Sequence, residues 1–459
     1  MVSNTSLLNL FFLLLIAPFI IISCDATATT KVTNQANNVN LGTYFNKVMN
    51  ATPIMPAKAN YSHVMTSVCL SPQNANSPAN KFKTNKQSQT ELINWESRVA
   101  HDWTFFNISA DDGKILVIDF KQLDQNVGFR YLANAHTQTE LYEPWSSSKI
   151  QAYSAAMAKI RAQNKTLGAN AFIGDIAIAD MISSINSYEQ TGLSPDDSNA
   201  LASLFANIAG RDYLTDLFYQ EWLNLSQQGA FFRGAYGPFA LEVDDEIVSL
   251  GTTALSLETR YYETAIDDPG YLAYRCSDCG LTGNKPMYTL AQAEWLKRLA
   301  THQSHKETRH PYLEQQDVDV LFYGNAVLSA SSPIGGMKNG ISNMLQIAIA
   351  QAISAKNINN DLELAKKILD RHTQGEWRVF QKIGWGISET RSATENVVLA
   401  HVCLPNYQGG RAFTVVAQAA IGLGSDIELM NQEQEYAELG RVGQKMQTNL
   451  TVAMKKLLQ

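Results

Sequence analysis

The sequence predicts an α+β sandwich: an antiparallel sheet built from strands near both ends of the chain, with flanking helices and an inserted all-helical lobe. Three observations predict it. A strand signal, Lys114-Ile115-Leu116-Val117-Ile118-Asp119-Phe120, comes early. Strand-like runs return late, at 377–382, 397–404 and 412–419. Helical patterns dominate the stretch between, from about residue 146 to 369. Strands first and last with helices between imply one sheet completed by both chain ends and a lobe inserted into it. The expected organisation is a signal peptide at 1–28, an irregular leader at 29–90 and a folded domain at 91–459. Within that domain a helical lobe at about 150–375 interrupts a sheet lobe made of 91–149 and 376–459.

With 459 residues, 45% of them hydrophobic, the chain can bury a substantial core, which excludes disorder throughout. Its 36 Lys+Arg against 43 Asp+Glu give a net charge of −7, without the basic field that phosphate backbones or anionic membranes attract. Nucleic acid is not expected as a partner, and a monomer is expected.

Taken in order, the chain opens with a nearly unbroken apolar run at 7–22, too short and too sharply ended for a comfortable membrane span. Followed by Ser23-Cys24-Asp25 and Ala26-Thr27-Ala28, it reads as a secretory h-region with a small-residue cleavage site, so the protein is expected to be secreted or periplasmic. Ile21-Ile22-Ser23-Cys24 also looks like a loose lipoprotein box, in which Cys24 would be acylated and would anchor the chain. The remaining cysteines are Cys69, Cys276, Cys279 and Cys403, and an oxidising compartment would favour pairing them, in a connectivity the sequence leaves open. No second close pair or nearby His completes four zinc ligands around Cys276-Ser-Asp-Cys279, so a disulfide or inert thiols are expected there.

The leader is rich in Asn, Thr, Ser, Ala and Pro and shows no sustained apolar period. Asp111-Asp112-Gly113 reads as a turn joining the first strong strand to an earlier one near 103–108. Apolar spacing predicts helices at 151–162, 177–185, 198–208 and 290–300, an extra helix at 344–355 and a polar-faced terminal helix at about 427–458.

The sharpest chemical feature is Pro144-Trp145-Ser146-Ser147-Ser148-Lys149 at a helix start. Ser146 and Lys149 lie three apart, so on a helical first turn their side chains share one face. A neutral lysine there could take the seryl proton, and burial would supply the lowered pKa. The positive end of the helix would favour the developing oxyanion. A Ser cluster before a helix is also a common cap.

The second feature is Trp377-Arg378-Val379-Phe380-Gln381-Lys382-Ile383-Gly384-Trp385-Gly386, a strand ending in Lys-Ile-Gly. Asn396-Val397-Val398-Leu399-Ala400-His401-Val402 follows, and then, after Gly409-Gly410, Arg411-Ala412-Phe413-Thr414-Val415-Val416-Ala417. This order resembles the Lys-Thr-Gly strand of class A β-lactamases and its two following antiparallel strands. Together with the Ser-x-x-Lys helix, residues 91–459 resemble the penicillin-recognising serine hydrolase superfamily, which holds the serine β-lactamases and the D-alanyl-D-alanine peptidases.

The resemblance implies roles residue by residue. Ser146 would be the nucleophile and Lys149 its base, and Lys382 would supply positive potential. The amides of Ser146 and of Trp385, just after Gly384, would form the oxyanion hole. Ala179-Asp180-Met181-Ile182-Ser183-Ser184-Ile185-Asn186 is similar to the family's Ser-x-Asn element, so Ser184 would relay a proton and Asn186 would hold a substrate carbonyl. Ser198-Asn199-Ala200 is the alternative for that element. The segment 257–266 occupies the place of the family's omega loop, which makes Glu258 and Glu263 candidates for the deacylating base. Neither sits in the usual Glu-x-x-x-Asn frame. Ile383 stands where the family has Thr or Ser, removing the hydroxyl that binds the substrate carboxylate, and 306–374 is longer than its counterpart.

His302, His305 and His310 crowd one polar segment without a fixed helical register and read as a solvated loop rather than a metal site. Gly335-Gly336 and Gly409-Gly410 read as turns. No cofactor or metal is expected. The function expected is that of an exported serine hydrolase acting through an acyl-enzyme on Ser146. Its substrate would be a β-lactam, a peptidoglycan-like amide or an ester. The alternatives are a hydrolase or peptidase acting on a non-β-lactam substrate, and a non-catalytic envelope protein that retains the fold.

Overall fold

The computed structural model describes residues 40–58, 69–70, 81–89, 91–234, 236, 240–243, 247–257, 285–328, 335–388, 391–424 and 427–459. The expected signal peptide, Cys24, the Cys276/Cys279 pair and both candidate bases, Glu258 and Glu263, lie outside these residues.

The main sheet draws on both chain ends. Its early strands are β1 (Lys83–Thr84), β2 (His101–Phe106), β3 (Lys114–Leu123) and β4 (Asn126–Asn134). A small separate sheet is made of β5 (Phe172–Ile173), β6 (Ile176–Ala177), β7 (Ile247–Leu250) and β8 (Thr253–Ser256). The late strands are β9 (Arg378–Ser388), β10 (Ala393–Leu404) and β11 (Arg411–Gly422). Spatial order in the main sheet is β1-β4-β3-β11-β10-β9, antiparallel throughout, with β2 added in parallel beside β4. The helices are α1 (Asn85–Gln89), α2 (Lys149–Gln163), α3 (Ile178–Ser187), α4 (Ser198–Ala209), α5 (Arg211–Asp216), α6 (Thr289–Ala300), α7 (Gln315–Tyr323), α8 (Met344–Ser354), α9 (Leu362–Thr373) and α10 (Gln432–Leu458). The fold is therefore the α+β sandwich that the order of patterns predicts.

Burial explains the layering. β10 is buried at every position, as a strand covered on both faces must be. Its Val397, Leu399 and Cys403 enter one core, while Val398, Ala400, Val402 and Leu404 enter the other. The first core lies between the sheet, α6 and the helices α2 to α5 and α7. The second lies between the sheet and α8, α9 and α10. In α10, Leu439, Val442, Met446, Leu450, Ala453 and Leu457 recur at helical spacing and are buried. Each full burial of a large aliphatic side chain there contributes about 1.5–3 kcal/mol.

Four expectations need correction. The strand at 101–106 makes no hairpin with β3, because β4 and β11 already occupy both edges of β3; it pairs with β4 instead. The leader is not irregular throughout: Phe45–Met49 form a helical turn whose Phe45, Val48 and Met49 fill the second core, and α10 carries Gly440 because a Cβ there would meet the carbonyl of Leu41. The helical lobe does not run on to about 375, since α8 and α9 pack with α10 on the opposite side of the sheet. Finally, His302, His305 and His310 are buried, not solvated. His305 lies against Phe129 and His310 against Trp222, and desolvation lowers the three pKa values to about 4, 4 and 3. No helix among the described residues is long and apolar enough to cross a membrane.

Candidate active site

The turn Trp145–Ser148 leads directly into α2, and a 3-10 turn stacks side chains three apart over one another. Ser146 and Lys149 therefore share a face. Trp145 sits in this turn at φ 50°, a left-handed conformation that costs a non-glycine residue about 1–3 kcal/mol and needs surroundings that impose it. The neighbouring serines help to impose it. Ser147 Oγ donates to Pro144 O at 2.6 Å and Ser148 Oγ to Trp145 O at 2.9 Å. From α6, Gln292 Nε2 donates to Ser147 Oγ at 3.1 Å. The hydroxyls of Ser147 and Ser148 thus tie the turn, while Ser146 is left half-buried at its front.

Lys149 is fully buried at the start of α2. Its Nζ donates to Ser198 Oγ at 2.9 Å and to Asn199 Oδ1 at 2.7 Å. Ser198 Oγ passes its own proton to Ile185 O at 3.0 Å, so it can only accept from Lys149. Two acceptors match the two N–H bonds of a neutral amine and leave its lone pair available. Burial drives the Lys149 pKa down to about 7, with Lys382 and Lys285 pushing the same way and Tyr188 and Asp197 opposing. The Tyr188 and Tyr236 rings flank the group, their centroids 5.5 and 5.6 Å from Nζ.

Lys382 projects from β9 into the same neighbourhood. Its Nζ donates to Ile185 O at 2.5 Å and to Tyr188 Oη at 3.0 Å, and burial holds its pKa well below the usual lysine range. Both lysines thus converge on the end of α3 and the start of α4.

β9 is the edge strand, and the serine turn packs against it. A Cβ on Gly384 would lie 2.7 Å from Pro144 O and 2.7 Å from the Ser146 amide nitrogen, so only glycine lets the strand pass this close. The Gln381 carbonyl meets Gly340, off the sheet edge, whereas Gly384 O receives Asn396 Nδ2 from β10 at 3.1 Å. By the two-residue alternation of a strand, the amide of Trp385 also turns out of that edge, on the side where the serine turn lies. Ser146, Lys149, Lys382, Gly384 and Trp385 are thereby brought together.

The structure does not bring Ser184 and Asn186 to Lys149. Both lie in the last turns of α3, where Ser184 Oγ accepts from Thr191 N at 3.0 Å and Asn186 Nδ2 donates back to Ile182 O at 2.8 Å. Ser198 and Asn199 hold that place instead, because Asp197 caps α4 by accepting from the Asn199 and Ala200 amides and so sets Ser198 at the helix tip. The Asp197 cap is visible in the sequence as a helix start, but it does not say that this helix tip meets Lys149. Tyr188 and Tyr236 were missed: Tyr188 is the left-handed residue that ends α3, and Tyr236 lies outside any helix or strand. Ile383 belongs to the second core, behind the sheet. No group of His, Cys, Asp and Glu among the described residues could hold a metal ion.

No family model and no curated protein matches this chain. Among solved structures, it is similar to a class D β-lactamase from Nostoc at 12% identity and a TM-score of 0.31, covering 74% of this chain and 93% of that one. A likeness so loose carries no weight for fold or function.

Proposed function

We propose that this protein is a serine hydrolase that forms an acyl-enzyme on Ser146. The observation that carries the reading is Lys149: fully buried, with a pKa near neutrality, three residues beyond a half-exposed serine, and with acceptors for two N–H bonds. In the reaction the Ser146 proton moves to Lys149 Nζ as Oγ bonds to the substrate carbonyl carbon. The carbonyl oxygen becomes an oxyanion between the amides of Ser146 and Trp385. As the carbonyl re-forms, the bond to the amine or alkoxide breaks; the Ser198 hydroxyl turns from Ile185 O to give the leaving group its proton and takes one from Lys149 in exchange. Water then attacks the ester carbon, and one of its protons passes to Ser146 Oγ as that atom leaves. Lys382 adds positive potential when an anionic substrate draws a proton onto it, since burial otherwise favours its neutral form.

The substrate class is an amide, β-lactam or ester. Ile383 favours the non-β-lactam members, since it offers no hydroxyl for a substrate carboxylate and lies in the core behind the sheet. The buried Cys69–Cys403 disulfide supports a secreted or periplasmic location. Intact mass after incubation with a penicillin, an activated ester and a fluorophosphonate tests the reading. The wild type gains the mass of one covalent adduct, acyl or phosphonyl, with at least one probe and Ser146→Ala gains none. Labelling that survives Ser146→Ala overturns it, and a folded wild type inert to every probe favours a non-catalytic protein instead.

A further inference from the structure

We propose that Glu395 is a positioning residue for Ser146, acting through Trp145, with Arg391 as its anchor. This rests on Ser146 being the residue acylated. The left-handed Trp145 fixes the direction in which the chain enters the serine turn, so whatever holds its side chain also orients the Ser146 hydroxyl and amide. Its indole Nε1 donates to Glu395 Oε2 at 2.8 Å. Its ring lies against Gly386, the residue directly opposite Glu395 in the β9–β10 pairing, where any Cβ would strike the indole. Gly386 and Glu395 therefore form a slot in the sheet shaped for this ring.

The slot is itself braced. Arg391 grips Glu395 with Nε on Oε1 at 2.8 Å and Nη2 on Oε2 at 2.6 Å, a two-pronged pair in a half-buried setting. The same Nη2 reaches Glu143 Oε2 at 3.2 Å, on the residue just before Pro144. The turn is thus held on both sides of Pro144, by Glu143 through Arg391 and by Trp145 through Glu395. None of these three charged groups needs to touch substrate. Their effect is to keep the amide of Ser146 beside Gly384, the relation on which the oxyanion site depends.

The test is the saturating acylation rate and half-saturating probe concentration for Trp145→Phe, Glu395→Ala, Glu395→Gln and the double variant Trp145→Phe/Glu395→Ala, with thermal melts alongside. Trp145→Phe keeps an aromatic ring in the slot but removes the indole N–H together with the five-membered part of the indole, so the rescue by Glu395→Gln is what isolates the hydrogen bond. Trp145→Phe and Glu395→Ala are each expected to slow saturating acylation about 10- to 100-fold with half-saturation changed less than about threefold. Glu395→Gln, which keeps an oxygen for the indole, recovers most of the rate. The double variant is no slower than either single one, because one contact is lost only once. Unchanged rates in Trp145→Phe, or losses that multiply in the double variant, overturn the proposal. Should Glu395→Ala fail to fold, Trp145→Phe and Glu395→Gln decide it alone. A wild type that no probe acylates sinks the hydrolase reading itself, which is a different result.

Discussion

A lysine taken wholly out of water loses the hydration of its ammonium, and the partners of Lys149 are a hydroxyl and an amide, with no carboxylate among them to compensate. The neutral form is therefore favoured, and its pKa falls to about 7. Two outcomes follow at this scale. Acylation requires the neutral amine, so its rate should climb with pH and reach half its plateau near pH 7, as read from probe kinetics; a flat profile across that value would remove Lys149 as the base. The same shift bears on stability. Between the folded pKa of about 7 and the ordinary lysine value of 10.5 the unfolded chain binds the extra proton, so this group's penalty is largest below pH 7 and fades as pH rises towards 10.5. Lys149→Met, apolar and of similar length, should abolish acylation. It should also stabilise the fold by roughly 2–4 kcal/mol at neutral pH in denaturant titration, a gain that shrinks in alkali.

Among elements, the tip of a helix and its last turn present a serine very differently. Ser184 is enclosed in the final turns of α3, where its hydroxyl receives the Thr191 amide, whereas Ser198 stands at the capped tip of α4 facing Lys149. Ser198→Ala should therefore slow acylation by about 10- to 100-fold, while Ser184→Ala should alter it less than about twofold, both measured as second-order rates with the same probe. The reverse ranking would return the relay to α3. The sequence made the helices themselves legible, because apolar spacing is local. Which of two serines met Lys149 was not legible, since that depends on the turn at 188–197 folding the start of α4 back against α2. The Ser146–Lys149 pairing could be read because it lies within a single turn. The approach of Gly384 could be read only through resemblance, because β9 and the serine turn meet across more than half the chain.

At the scale of the whole molecule, long-range closure is what the sequence left open. That both chain ends complete one sheet follows from patterns, but the spatial strand order, β2 beside β4 and the return of α8 and α9 to the second core depend on which sheet edges and faces remain vacant, a question of assembly that no local window contains. The cysteines pose the same problem, and Cys69 and Cys403 meet across a separation of 334 residues. Cys403 sits in β10, buried at every position, so the bond ties a segment that precedes the folded strands to the middle of the molecule. Cross-linking residues so far apart removes loop entropy from the unfolded chain, and natural disulfides of this kind contribute about 2–5 kcal/mol. Because both sulfurs are buried in the first core, reductant alone should act slowly on the native protein, and faster once denaturant opens it. Replacing both cysteines with alanine should lower the unfolding free energy by that amount, read from the fall in denaturant midpoint, and leave acylation of the folded fraction within about twofold, since the bond touches neither the serine turn nor Lys149. A double variant as stable as the wild type, or one that folds fully yet no longer acylates, would mean that the cross-link serves the site rather than the frame.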